Sequence, residues 1–390
     1  MSSRAESQLP RSPLACILPP GLLRRVATAN PDTLASALAT WHLDTRLRTA
    51  RAASAARTPG RAFRPVTFAR VGGSPQRTIY DQQNTESQTP GKVARTEGAP
   101  PSGDKATDEA YDGFGATYNF YWQIFNRDSI DGQGLPILGL VHFGTNYDNA
   151  FWDGAGHMFF GDGDGQMLTR TTAGLDVIGH ELTHGVTQHE ANLDYSGQSG
   201  ALNEAMSDSL GISIKQYALQ QSAAQADWLI GADIVGPELK PALRSMKAPG
   251  TANPHDDQPA DMDGYVDGGD VHTNSGIPNR AYYLVATTIG GNSWEAPAKI
   301  WYDSLCDPNL TSTATFSKFA AITLKQAKQT YGADSAEANA VAGAWDTVKV
   351  PIGAGQKGGA TIKAKAGPAK SATKVAMKAP VKSKPKKKTA

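Results

Sequence analysis

The chain has 390 residues, enough for two or three domains with sizeable cores. Its 38 basic and 37 acidic side chains nearly cancel, but residues 352–390 carry 11 lysines and no acid, and residues 1–76 carry 11 arginines against three acids, so an acidic body has two basic ends. The two cysteines, Cys16 and Cys306, are far apart, which argues against a disulfide framework or a cysteine zinc site, and no stretch is apolar for long enough to span a membrane.

The N-terminus, MSSRAESQLPRSPLACILPP, has no apolar run longer than Leu14–Leu18 and so lacks the core of a secretory signal. The expectation is a soluble protein that stays in the cytoplasm or leaves the cell by a non-classical route. Over residues 21–56, Leu22, Val26, Leu34, Leu38, Trp41, Leu43 and Leu47 recur at helical spacing after an extended CILPP. Residues 58–76, rich in Pro, Gly and Arg, read as a linker. Strands and turns are expected to about residue 112, then a helix over Ala110–Phe125, a polar loop, and a strand over Leu135–Phe143. Asn149–Trp152 and Met158–Phe160 read as edge strands able to accept an extended peptide.

The organising stretch is Gly174–Gln188, GLDVIGHELTHGVTQ. Leu175, Ile178, Leu182 and Val186 share one helical stripe, while His180 and His184, four apart, stack on the other face. Two imidazoles one turn apart reach a single zinc ion, and Glu181 between them points toward the open coordination position. Twenty residues on, GALNEAMSD places Glu204 and Asp208 on one face of a second helix that runs to about Gln221. Glu204 offers a third ligand; two His and one Glu leave a tetrahedral zinc with one position for water, the arrangement of a hydrolase. Asp208 suits a hydrogen bond to the far nitrogen of a ligating His.

After an acidic, glycine-rich loop over Asn253–Asp270, helices are expected from Ile277 to about Val350. Cys306, in KIWYDSLCD, reads as a buried small apolar residue. Residues 352–390 are low-complexity Ala, Lys, Pro and Gly and are expected to be disordered. Such a tail could hold nucleic acid or an anionic surface by charge alone, dock on the acidic body, or keep the protein in solution.

These motifs together resemble the thermolysin-like zinc metallopeptidases. HELTHGVTQ, Tyr195, GALNEAMSD, Arg244 in ALRSM and the run from Asp267 through His272 to Ile277 fall in that family's order at nearly its spacing, and YDNAFWDG (Tyr147–Gly154) matches its substrate-binding strand. The resemblance covers about residues 79–350. Pro19-Pro20 followed by Leu22-Leu23 resembles the short prosegments of the protealysin-like branch.

The resemblance implies an α+β, two-lobe metallopeptidase: a prosegment over 1–76, a β-rich lobe over 77–190 ending in the H-E-x-x-H helix, a helical lobe over 191–351, a zinc site between the lobes, and the tail. One zinc is expected on His180, His184 and Glu204, with Glu181 as general base. Tyr195 and His272 would stabilise the oxyanion, with Asp267 orienting the His272 ring. The Asn149 side chain and Ala150 carbonyl would hold the peptide. Arg244 would donate to the carbonyl just beyond the scissile bond, and Val177 and Leu243 would wall an apolar pocket there, favouring large hydrophobic residues. Expected partners are peptide and protein substrates and the chain's own prosegment, in a monomer.

The family's double calcium site falls here on Asp176, Lys215, Asp227, Leu229 and Ala232. Three of five carboxylates are absent, so the site is expected to be lost, with the Lys215 ammonium replacing the ion between Asp176 and Asp227. Two other readings are a binding protein on a dead peptidase scaffold, which would need a lost catalytic group, and an aminopeptidase, which would need a group closing the cleft. A zinc-ligating Cys16 thiolate is the sharper reading of the prosegment, but an apolar strand lying in a cleft requires none.

Overall fold

The structure, a computed structural model, describes residues 15–31, 33–57 and 73–353. The basic tail and most of the 58–76 linker lie outside the described residues. The chain enters as a two-residue strand, β1 (Ala15–Cys16), soon followed by Pro19 and Pro20. Proline cannot donate to a ladder but suits the first position of a helix, and Pro20 opens α1 (Pro20–Ala29). α2 (Leu34–Arg57) follows, so the helical pattern over 21–56 forms two helices.

Strands β2 (Arg77–Asp81) and β3 (Lys92–Thr96) precede α3 (Lys105–Phe125). This helix starts five residues before the expected Ala110, because the Asp104 side chain caps it by accepting the Thr107 N–H at 2.8 Å. Then come β4 (Ile137–Val141), β5 (Ala150–Trp152) and β6 (His157–Phe160). The strands form one mixed sheet in the order β1-β5-β6-β4-β2-β3. β1 runs antiparallel to β5, with Ala15 opposite Trp152 and Cys16 opposite Phe151. The strand read as an acceptor of extended peptide thus holds the chain's own N-terminal segment. Leu43 and Leu47 of α2 join Cys16, Phe143, Tyr147, Phe151 and Phe159 in one apolar cluster, which seats the helix on the sheet.

α4 (Leu175–His189) and α5 (Gly197–Leu219) lie side by side at the centre. Their contact depends on two glycines: a Cβ on Gly179 would come within 2.9 Å of Ile214, and one on Gly211 within 2.6 Å of the Asp176 carbonyl. Glycine inside a helix is unfavourable by about 1 kcal/mol, offset here by a close approach that larger residues would block. α4 is buried on nearly every side, not on one apolar stripe alone.

A short ribbon of β7 (Leu229–Ile230) and β8 (Arg244–Ser245) precedes α6 (Val271–Asn274), α7 (Gly276–Ile289), α8 (Ala296–Leu305), α9 (Phe316–Tyr331) and α10 (Ala336–Thr347). Tyr282, Trp301, Phe319 and Trp345 fill the core of this helical part. The architecture is the expected α+β arrangement of a β-rich and a helical lobe. Cys306 departs from expectation: it is exposed, because it caps α8 just beyond the buried Ser304 and Leu305. Among the described residues no helix is long and apolar enough to cross a membrane.

Candidate active site and metal centre

The four-residue spacing on α4 stacks the two imidazoles, whose Nε2 atoms lie 2.9 Å apart. Glu204 comes up from α5 with Oε2 3.4 Å from His180 Nε2 and Oε1 3.5 Å from His184 Nε2. All three are buried, and their ligand atoms lie within 4.8 Å of one another. Two imidazole nitrogens and a carboxylate oxygen, converging in the interior where among the described residues Glu204 Oε2 has no hydrogen-bond partner, fit a zinc ion.

Each histidine is oriented from behind. His180 Nδ1 meets Asp208 Oδ1 at 2.8 Å, while His184 Nδ1 meets Asn203 Oδ1 at 2.8 Å and Ser207 Oγ at 3.0 Å. An acceptor on Nδ1 fixes the tautomer that leaves Nε2 free for a metal. Asp208 also receives Arg244 through Nη2 at 2.8 Å and Nε at 3.0 Å, and Asn279 Nδ2 at 2.8 Å. Burial alone would raise the Asp208 carboxyl, but the Arg244 charge and the His180 bond hold it far below the usual range. Asn203, Ser207 and Asn279 carry no sequence signal of their own, since their use depends on how α5 and α7 pack on α4.

Glu181 Oε2 accepts the Trp152 N–H at 3.1 Å, and among the described residues the buried Oε1 has no hydrogen-bond partner. Burial pushes its carboxyl well above the usual range, against the pull of the His180 charge.

On the other side, His272 Nε2 lies 3.3 Å from the Tyr195 hydroxyl, which donates to Glu204. The group that orients His272 is Asp270, not Asp267: Asp270 Oδ1 lies 2.8 Å from Nδ1 and accepts the His272 backbone N–H at 2.9 Å. Asp270 caps α6 and is therefore folded back on the residue two positions later, whereas Asp267 is exposed in the preceding turn. Burial lowers the His272 pKa, but Glu204 and Asp270 outweigh it and the net shift is upward.

The residues expected to hold a peptide are engaged by residues 16–18. The Ile17 N–H donates to the Ala150 carbonyl at 3.1 Å, and Arg244 Nη1 donates to the Ile17 carbonyl at 2.9 Å. The Leu18 N–H donates to Asn149 Oδ1 at 3.0 Å, and His272 Nε2 donates to the Cys16 carbonyl at 2.7 Å. Val177 and Leu243 are buried in the same apolar cluster as Ile17 and Leu18. The Cys16 thiol instead meets Arg48 Nη2 at 2.8 Å and donates to the Leu18 carbonyl at 3.3 Å. Among the described residues the metal-capable group is His180, His184 and Glu204 alone, without Cys16.

Away from the centre, Lys215 Nζ lies 2.7 Å from Asp233 Oδ2 and 3.8 Å from the fully buried Asp176. The expected second partner, Asp227, is instead exposed and accepts the Leu229 N–H at 3.0 Å, because Asp233 is delivered by the turn after β7.

Comparison with known proteins points to a metallopeptidase family. The model of the thermolysin metallopeptidase catalytic domain matches residues 70–188, and that of the thermolysin metallopeptidase alpha-helical domain matches residues 191–350. An extracellular metalloprotease of Pectobacterium carotovorum is 49% identical over 72% of this chain and 82% of its own length. Protease PrtS of Photorhabdus sp. is 45% identical over 68% of this chain and 74% of its own length. The solved precursor of protealysin, a metalloproteinase from Serratia proteamaculans, superposes with a TM-score of 0.73 at 44% identity, over 86% of this chain and 99% of its own. The relatives also correct the expected location, since a cytoplasmic stay or a non-classical exit does not accord with a relative named as extracellular. The chain belongs to the thermolysin family of zinc metallopeptidases and is similar to its protealysin-like members.

Proposed function

We propose that the protein is made as a latent endopeptidase that processes itself and cuts peptide bonds preceding large hydrophobic residues. The observation that carries this reading is the backbone of residues 16–18, laid along Asn149, Ala150, Arg244 and His272 beside the His180, His184 and Glu204 group. A zinc ion held by those three residues would supply a Lewis acid able to bring the pKa of a water molecule to about 7. Glu181 takes the proton from the attacking water and carries it to the leaving nitrogen. Burial raises this carboxyl above the usual range, which makes it a stronger base than an exposed glutamate. His272 donates to the carbonyl oxygen on which negative charge would develop, with the Tyr195 hydroxyl beside it and Asp270 holding the His272 ring. Arg244 and Asn149 fix the peptide on the far side of the bond. The full burial of Ile17 supports a hydrophobic preference there.

The prosegment is residues 1–76 in this reading. Its described part docks by α2 as well as β1: Asp44 accepts from Tyr147 at 2.5 Å and from Asn149 Nδ2 at 2.9 Å, and Ser36 donates to Asp148 at 2.6 Å. One Asn149 amide thus serves both the cleft and the prosegment. The pairing of Lys215 with Asp233 and Asp176 supports a protein that does not use calcium at this place. The test is to incubate the full-length protein, and the protein freed of residues 1–76, with casein, with and without a chelator. Chelator-sensitive cleavage that is faster in the shortened form, with new N-termini at large hydrophobic residues, supports the reading. Cleavage that ignores the chelator refutes it.

A further inference from the structure

The prosegment does more than cover the cleft: it lies in the direction and register of a substrate. We infer that the Cys16–Ile17 peptide bond is the one presented to the catalytic groups, and that the protein hydrolyses it in its own chain. This rests on the endopeptidase reading above and names an event that reading does not require.

The register follows from four hydrogen bonds that bracket this one bond. On its N-terminal side the Cys16 carbonyl oxygen, the atom that would become the oxyanion, accepts from His272 Nε2 at 2.7 Å. On its C-terminal side the Ile17 N–H is held by Ala150, the Ile17 carbonyl by Arg244 at 2.9 Å, and the Leu18 N–H by Asn149 at 3.0 Å. The flanking pairs Ala15 with Trp152 and Cys16 with Phe151 keep the strand antiparallel to β5 and exclude a one-residue slip. Ile17 is fully buried, so the residue following the bond fills an apolar pocket.

Hydrolysis adds water across the bond. The hydroxyl goes to the Cys16 carbonyl carbon, the C–N bond breaks, and Glu181 delivers a proton to the Ile17 nitrogen, leaving a carboxylate on Cys16 and an ammonium on Ile17. The cut need not end latency. The Arg244 bond to the Ile17 carbonyl and the Asn149 bonds to Leu18 lie on the retained side, as do the α2 contacts of Ser36 and Asp44. Cleavage at Cys16–Ile17 and release of the prosegment are therefore separate steps.

The experiment follows zinc-loaded full-length protein by intact mass and N-terminal sequencing, alone and with casein, beside Glu181→Gln and Ile17→Asp variants. The expected result is a new N-terminus at Ile17, formed at a rate independent of protein concentration and absent in Glu181→Gln. In Ile17→Asp the cut at this bond slows on the order of 100-fold or more, since a carboxylate must enter an apolar pocket. Casein cleaved while the bond stays intact overturns this inference and leaves the endopeptidase reading standing. A cut whose rate scales with protein concentration, or one that persists in Glu181→Gln, also overturns it. Casein and chain both intact would refute the two together.

Discussion

Asp208 and Arg244 form a fully buried, two-pronged ion pair, 2.8 and 3.0 Å long, that joins His180 to the residue that binds the Ile17 carbonyl. The same carboxylate holds His180 and Asn279, so one side chain sets the angle of an expected zinc ligand and the position of an expected substrate clamp. Removing it strands a guanidinium in the interior. Asp208→Ala is expected to cost about 3–5 kcal/mol of stability and to weaken zinc binding about 10–100-fold. Chemical denaturation and zinc titration of the same sample check both.

Glu181 and His184 stand one turn apart but have separable tasks. Glu181→Gln is expected to keep zinc and lose about 10²–10⁴-fold in kcat, whereas His184→Ala loses the metal itself. Metal analysis beside casein turnover separates them, and equal metal loss in both variants contradicts the assignment.

His272 is oriented by its near neighbour in sequence, Asp270. In the processed enzyme, Asp270→Ala is expected to lower kcat about 10-fold or more with little change in KM, since the bond it supports acts on developing charge. Asp267→Ala, altering an exposed turn, should stay near wild type. Steady-state kinetics of the two variants reverse this order if Asp267 is the orienting group.

Lys215 answers to Asp176 and Asp233. Lys215→Ala leaves Asp176 buried without its counter-charge and is expected to cost about 3 kcal/mol or more. Asp233→Ala should cost less than 1 kcal/mol, about the ceiling for a half-exposed pair. Calcium should leave the melting temperature unchanged through this site. A saturable rise that Asp176→Asn abolishes would contradict it.

The docked prosegment carries a pH dependence. Burial, opposed by hydrogen bonds from Tyr147 and Asn149 and by the Arg48 charge, raises the Asp44 pKa from 3.8 to about 6. A carboxyl with a raised folded-state pKa binds its proton more tightly in the folded state, so its contribution is full below about pH 4 and is lost as pH rises through about 6. Asp44→Asn, which stays neutral, should therefore gain on wild type as pH rises from 4.5 to 7.5, by about 2 kcal/mol. Parallel melting curves across that range check the sign. A gap that widens on acidification would show it to be wrong.

The H-E-x-x-H spacing and the second helix bearing Glu204 and Asp208 were legible from residue order, because a helical period of 3.6 fixes which side chains share a face before any tertiary contact forms, whereas the two-lobe α+β plan followed from the family resemblance. The partners of those side chains were not. Asp270 rather than Asp267, Asp233 rather than Asp227, and the roles of Asn203, Ser207 and Asn279 depend on where loop ends and neighbouring helices arrive in space, which local periodicity does not encode. The sequence also shows an apolar strand ended by two prolines, but not that Cys16–Ile17 is the bond facing His272. That register is decided by the pairing of β1 with β5 and the reach of Arg244 and Asn149 from distant parts of the chain, since a strand alone can slide by one residue without changing its own conformation.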